Sequence, residues 1–391
     1  RFVEYAKAMH AVDPDIHLGG PACSDLALSF VEELIRDGGD AVDFVSIHAY
    51  PVGVNTRQSA DKFAAILDLR EAIQRVNGWI SKYQPERANE IEIGISEWNI
   101  KVNEDRDTAE LISALWSALW IGTLFEEGVD FANQWDLTTY TEDGGHSAFY
   151  IDESTMSVLP KSQYWALWMW SNLMGSEMVK SNLAGPATVK HFVTRSNAGL
   201  QIMLINTSET DEATVALQSS AASAAVGQLH SYSSAEYFWD IHARKPLWSR
   251  PPTVGQITIN HSTTLTLPKF SINVLELPWA GQPTANHTHS AAAVQPTLRL
   301  SLPDRVPADR PIEGWIIASD PKAQLPYLQS IDTIQLSIDG PATLSEASLE
   351  LDNAAATFTI NPKGAGKITI HAHSGKHTTS HSIELVALKE R

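Results

Sequence analysis

The stretch Glu92-Ile93-Gly94-Ile95-Ser96-Glu97-Trp98-Asn99 decides how the chain is read. Ile91, Ile93 and Ile95 are β-branched, with a polar segment before them and a charged loop after, a pattern that predicts a short buried strand. Its end carries a carboxylate, Glu97, with Trp98 and Asn99 beside it. A carboxylate at the C-terminal tip of a strand is where an α/β chain places its chemistry. The plainer reading is a Glu that opens a surface loop, and the flanking elements must decide between the two.

Upstream, Val42 to His48 reads as the preceding strand, ending in His48-Ala49-Tyr50-Pro51, with a long helix over 60–83 between the two. Before it come a helix over 2–12, a strand from Ile16 into Gly19-Gly20-Pro21, and an amphipathic helix over 25–34 with Asp25 as its cap. Downstream, an apolar helix over 108–128 leads to a strand at Phe131–Trp135, and a Trp-rich helix runs from Ser162 to Met174. Strict alternation of helix and buried strand predicts parallel βα units. Four units behind one orphan helix predict half of an eight-stranded barrel, units five to eight, over residues 1–176. Val45, Ile47, Ile93 and Ile95 are expected to line its interior. The exposed edges then call for cover from another chain, a second copy, or the domain that follows.

From about Met178 the pattern changes to short strands separated by turn residues, which predicts an antiparallel β-sandwich over 177–280. A linker rich in Ala, Thr, His and Pro covers 281–296, and 297–391 has the strand rhythm of an immunoglobulin-like β-sandwich. The fold class is therefore α/β plus all-β.

Composition narrows the function. The formal net charge of −18 argues against nucleic acid or an anionic membrane surface as partner. No apolar run reaches membrane-spanning length. Cys23 is the only cysteine, so no intramolecular disulfide framework exists. The chain has no Gly-rich phosphate loop, Cys/His metal cluster or nucleophilic-serine elbow, and the chemistry below implies no cofactor and no metal.

Three strand ends carry polar and aromatic groups: His48 with Tyr50, Glu97 with Trp98 and Asn99, and Trp135 with Asp136. Parallel neighbours bring such tips to one rim. A carboxylate beside a Tyr hydroxyl and Trp faces suits a sugar. The ring stacks on indole, the hydroxyl orients the carboxylate, and the carboxylate attacks or stabilises the anomeric carbon. The milder readings make Tyr50 a loop anchor before Pro51 and Trp135 a core residue.

The segments VDFVSIHAYP (42–51), IGISEWN (93–99), ANQWDL (132–137) and KSQYWALWMWSNLMG (161–175) together resemble the clan A retaining glycoside hydrolases. The β-xylosidase and α-L-arabinofuranosidase families are nearest in flavour. PKFSINVLEL (268–277) resembles the β-sandwich that accompanies those barrels, so the resemblance extends over about residues 1–278. It implies Glu97 as nucleophile at the tip of the seventh barrel strand, Tyr50 hydrogen-bonded to it from the sixth, His48 lining the sugar site and Trp135 as its floor. Trp98 and Asn99 are expected to contact sugar beside Glu97. The chain departs from the family in its acid/base: Asn89-Glu90 and Asn103-Glu104 lie in polar loops, and no strand end here carries an Asn-Glu pair. Asp136, Glu142, Asp143 and Glu153 are the substitutes near Trp135.

Two readings follow. One is a hydrolase of plant-type polysaccharide, xylan-, arabinan- or glucan-like, secreted or periplasmic, and expected to lie in a homo-oligomer or against a partner chain that covers the open barrel edge. The other is a catalytically impaired, truncated hydrolase that binds carbohydrate or serves in assembly.

Overall fold

The computed structural model describes residues 1–24, 28–103, 105–138, 145–152, 157–218, 225–260, 262–279, 297–320, 325–326, 331, 333–351 and 354–387. They form two compact units, Arg1–Ser233 with Pro251–His287, and Ser234–Arg250 with Thr288–Arg391.

The first unit opens with helix α1 (Phe2–His10), strand β1 (Gly19–Cys23), α2 (Ser29–Gly38), β2 (Phe44–Ala49), α3 (Ser59–Ala64) and α4 (Ile66–Tyr83). It continues through β3 (Glu92–Trp98), α5 (Arg106–Ala109), α6 (Leu111–Glu126), β4 (Phe131–Gln134) and, after a hairpin of Phe149–Asp152 with Ser157–Pro160, α7 (Ser162–Leu173). The four strands make one parallel sheet in the order β1-β2-β3-β4, as consecutive βα units require. Among the described residues β1 pairs only with β2, and β4 only with β3. Two helices expected as single rods are broken, at Ala65 and at Glu110, where extended backbone intervenes before α6. The helix expected over 25–34 begins at Ser29, and its expected cap, Asp25, lies outside the described residues.

The two faces of the sheet are reversed from the expectation. Val45, Ile47, Ile93 and Ile95 are buried on the helix-covered side, the side from which Trp98 packs on α6, rather than on the opposite one. The opposite face carries Phe44, Ser46, Gly94 and Ser96, with Ser46 Oγ and Ser96 Oγ 3.3 Å apart. Phe44 and Phe131 meet edge to face there, ring centres 5.7 Å apart. Gly19 and Gly94 make room for them, since a Cβ at Gly94 would stand 2.0 Å from the Phe131 ring and one at Gly19 2.6 Å from that of Phe44. Period-two alternation separates two faces without saying which the helices cover.

Helix α6 is buried nearly all round, from Ile112 to Leu124, as expected of a helix covered on more than one side. One cover is a six-stranded antiparallel sheet, in the order Thr253–Ile259, Ala225–Tyr232, Ser271–Pro278, Gly199–Asn206, Val189–Arg195, Glu177–Met178. Phe192 of this sheet lies against Gly122, where a Cβ would stand 2.3 Å from its ring, and packs edge to face on Trp170 of α7. The sheet's other face packs Val189, Leu204 and Leu275 with Val215, Leu265 and Leu267 of the paired strands Ala213–Gln218 and Ser262–Leu267. The sandwich thus shares a core with α6 and α7.

The second unit is a two-sheet sandwich around Leu300, Ile316, Phe358, Ile360, Ile368, Ile370 and Ile383. It contains a hairpin, Tyr237–Asp240 with Lys245–Ser249, that falls within the 177–280 span assigned by sequence to the first sandwich. Its Phe238 and Trp248 pack with Ile317, Ala354 and Ala355. Asp240, fully buried, accepts hydrogen bonds from the backbone N–H groups of His242 and Ala243, from Arg299 Nη2 at 2.8 Å and from the Ser301 hydroxyl. Strand rhythm alone could not show which sandwich the hairpin joins. The expected linker at 281–296 lies outside the described residues.

Candidate active site

The ends of β2, β3 and β4 meet at one rim through a defect in the β3 register. Ile47 pairs with Ile95, but the next residue, His48, pairs with Glu97, and Ala49 with Trp98, so Ser96 is an extra residue in β3. Strict alternation would place Glu97 on the helix-covered side with Ile93 and Ile95. The bulge turns it to the other side, opposite His48, and turns Trp98 toward the helices. Re-aiming a side chain beside a site is what bulges do.

Glu97, 31% exposed, receives a hydrogen bond from the Tyr50 hydroxyl at 3.1 Å on Oε2. His48 Nδ1, on a ring 21% exposed, stands 3.2 Å from the same oxygen. Among the described residues no hydrogen bond reaches Oε1. Trp135, just past β4 and 45% exposed, presents indole surface to solvent. The peptide between Trp135 and Asp136 is cis.

The structure therefore brings together Glu97, Tyr50 and His48, with Trp135 held at the adjoining strand end. Trp98 and Asn99, also expected to contact sugar, are corrected by burial. Trp98 is 2% exposed and packs against Trp116 and Trp120 of α6, ring centres 6.4 and 6.1 Å away, because the bulge sets it opposite Ala49. Asn99 is fully buried and spends its amide on the framework: Nδ2 donates to the carbonyls of Trp135 at 2.6 Å and His146 at 3.1 Å, and Oδ1 accepts from Ile100 N–H at 2.7 Å. Asp136 lies within the described residues, whereas Glu142, Asp143 and Glu153 lie outside them.

Several supporting residues escaped the sequence reading. Gln163 of α7 donates to Asn99 Oδ1 at 2.6 Å, and Gln134 of β4 donates to Gln163 Oε1 at 3.0 Å and to the His146 carbonyl at 3.1 Å. The buried His146 ring contacts the Lys101 carbonyl at 2.8 Å and faces Tyr50 with ring centres 6.0 Å apart. Lys101 is buried between Asp105, at 3.0 Å, and Asp107, which also binds Lys62 at 2.6 Å. Burial alone would push the Lys101 ammonium down, but hydrogen bonds and charge from Asp107 and Asp105 outweigh it and hold the group above the ordinary lysine value. A lone Gln in the first turn of a Trp-rich helix was the one available signal for Gln163.

Among the described residues no group of three or more His, Cys, Asp or Glu is placed to hold a metal ion. Among the described residues, no helix is long and apolar enough to cross a membrane. A cavity of about 390 Å³ lies between α1, β1 and α2, lined by Phe2, Phe30 and Leu34 together with Arg1, Glu33 and Asp37, and by none of Glu97, His48 or Tyr50.

No protein-family model matches the chain, and no curated protein resembles it in sequence. Solved structures do. An α-L-arabinofuranosidase from Thermotoga maritima, in an arabinose complex, matches at 18% identity with a TM-score of 0.56, covering 71% of this chain and 61% of that one. A family 51 α-L-arabinofuranosidase from Thermotoga petrophila matches at 17% identity and a TM-score of 0.55, covering 71% and 62%. A family 44 xyloglucanase from Paenibacillus polymyxa matches at 14% and 0.52, covering 71% and 60%. This chain spans about three-fifths of the length of these structures. All three are clan A glycoside hydrolases, so the resemblance carried by the strand ends of the sequence is matched in the fold.

Proposed function

We propose that the parallel sheet is a partial (β/α)8 barrel, units five to eight, and that it serves retaining glycoside hydrolysis with Glu97 as nucleophile. The observation that carries this reading is the convergence of Tyr50 and His48 on one Glu97 oxygen, which leaves Oε1 for attack. In that chemistry Oε1 bonds to the anomeric carbon as the glycosidic C–O bond breaks. An acid protonates the departing oxygen, and water then hydrolyses the glycosyl ester with net retention. Trp135 provides an apolar face on which a sugar ring stacks.

The substrate is a neutral plant-type polysaccharide or oligosaccharide, xylan-, arabinan- or glucan-like. The net charge of −18 suits a neutral polymer better than a polyanion, and the structural neighbours, an α-L-arabinofuranosidase and a xyloglucanase among them, support the same reading. Among the described residues the strand ends supply one carboxylate with this geometry, and the acid/base that the retaining route requires is not assigned to a residue of this chain. A second copy or a partner chain is the cover that the edges of β1 and β4, unpaired among the described residues, call for. The second unit is read as an immunoglobulin-like accessory module and the working location as secreted or periplasmic.

The test is turnover of aryl β-xyloside, α-L-arabinofuranoside and β-glucoside by this chain and by Glu97→Ala. Turnover by the parent that disappears in Glu97→Ala supports the assignment. Turnover that survives the substitution overturns it, and sugar binding without turnover selects the binding or assembly role instead.

A further inference from the structure

We propose that Gln163, in the first turn of α7, is a positioning residue that holds Trp135 and the Tyr50–Glu97 pair in register. The inference rests on the hydrolase reading for its catalytic meaning but not for its geometry. Gln163 touches none of the rim groups itself; it acts through Asn99, Gln134 and His146.

The orientation of each amide in this network is determined by the next. Asn99 Oδ1 accepts from Ile100 N–H, so Nδ2 must face the Trp135 and His146 carbonyls. The same Oδ1 accepts Gln163 Nε2, which turns Gln163 Oε1 toward Gln134 Nε2 at 3.0 Å. Gln134 completes the circuit on the His146 carbonyl. Four segments are tied at one point: the end of β3, the end of β4, the loop through His146, and α7. Gln163 and Asn99 are fully buried, so a lost partner leaves a polar atom with no water to replace it.

Two routes run from this point to the rim. Asn99 grips the carbonyl of Trp135 itself. The His146 segment carries the ring that backs Tyr50, and Tyr50 holds Glu97 Oε2. Lys161, the residue that precedes α7, also grips that segment directly, its N–H donating to the Ala148 carbonyl at 2.8 Å and its Nζ to the Gly145 carbonyl at 2.6 Å. Beyond its first turn, α7 is packed on the sandwich through Trp165 on Tyr232 and Trp170 on Phe192. The β-sandwich is thereby the rigid backing of the rim, and Gln163 is where that rigidity is transmitted.

Three variants test this. Gln163→Met keeps the volume and removes all the hydrogen bonds to Asn99 and Gln134, Gln163→Glu keeps the acceptor for Gln134 and loses the donor to Asn99, and Gln134→Leu breaks the half-buried side of the network. Asn172→Ala, on the exposed side of α7, is the control. The first readout is acrylamide quenching of Trp135, taken as the difference between each variant with and without Trp135→Phe. The second is the maximal rate at which an aryl 2-deoxy-2-fluoroglycoside labels Glu97, read by intact mass at saturating reagent.

In the variants that keep the parent's circular dichroism, Trp135 quenching is expected to change and maximal labelling to slow by about 10- to 100-fold, while Asn172→Ala matches the parent. Folded variants whose Trp135 quenching equals the parent's would overturn the proposal. If the parent is not labelled, the hydrolase reading fails, and quenching alone still decides the role of Gln163.

Discussion

The Tyr50 hydroxyl donates to Glu97 Oε2 across 3.1 Å, from the residue just past the end of β2 to the penultimate residue of β3. That one contact joins two strand ends and fixes which carboxylate oxygen is held. With His48 Nδ1 at 3.2 Å on the same atom, rotation about the last torsion of Glu97 is restrained and Oε1 stays turned away from the protein donors.

Tyr50→Phe removes this donor without changing the ring that lies beside His146. A hydrogen bond to a charged acceptor contributes roughly 1.5–3 kcal/mol. If the bond strengthens as Glu97 becomes the departing carboxylate, turnover is expected to fall by about 10- to 100-fold. Steady-state kinetics on an aryl glycoside check this, and the melting temperature is expected to move little because Tyr50 is only half-buried. Unchanged turnover would remove Tyr50 from the working site.

Behind the rim, Lys101 with Asp105 and Asp107 pins the loop that follows Glu97. Lys101→Met leaves the part-buried Asp105 without its cation and Asp107 with Lys62 alone, and is expected to cost about 3 kcal/mol in denaturant unfolding. The pH dependence has a definite sign. Because the folded-state value is raised, the stabilising contribution is complete below the unfolded lysine value of about 10.4 and is lost as pH rises through the higher folded value. The stability difference between parent and Lys101→Met is therefore expected to hold from neutral pH to about 10 and to shrink only above that. A difference that shrinks below pH 9 would contradict the role given to Lys101.

Much of the α/β layer was legible because buried strands and alternating helices leave a strong pattern: the ends of β2, β3 and β4 were located, and Glu97 meets Tyr50 as expected. The burial of Trp98 and Asn99 was not legible. A bulge changes which face each later residue occupies, yet it is a property of pairing between two strands and leaves no mark in the composition of either. Asn99 and Gln163 are 64 residues apart in sequence, so their mutual satisfaction depends on tertiary placement that local periodicity cannot supply. The hairpin around Asp240 was assigned to the wrong sandwich for the same reason.

Asp240 offers a test in the second unit. Its carboxylate is fully buried and takes four donors, two from its own turn and two from the strand Thr297–Ser301. Asp240→Ala strips the Ser301 hydroxyl and the turn N–H groups of their acceptor, an expected loss of about 3 kcal/mol. Calorimetry should show one of two transitions shifting downward, the one that belongs to the unit of Ser234–Arg250 with Thr288–Arg391. An equal shift in both transitions, or in neither, would break the link between the hairpin and that unit.

The bulge at Ser96 makes a prediction that separates backbone from side chain. The Ser96 hydroxyl contributes only a 3.3 Å contact to Ser46, so Ser96→Ala is expected to leave labelling of Glu97 within about threefold of the parent, a change under 1 kcal/mol. Deleting Ser96 is a different perturbation. Ile95 opposite Ile47, Glu97 opposite His48 and Trp98 opposite Ala49 then follow as one regular ladder, so both registers and the face occupied by Glu97 are kept while the strand becomes one residue shorter. The shorter strand pulls on Asn99 and its bonds to the Trp135 and His146 carbonyls, so the deletion is expected to lower the melting temperature and to leave Glu97 open to labelling in the folded population. Loss of labelling by a folded Ser96 deletion would show that the bulge itself, beyond the registers on either side of it, sets the direction of Glu97.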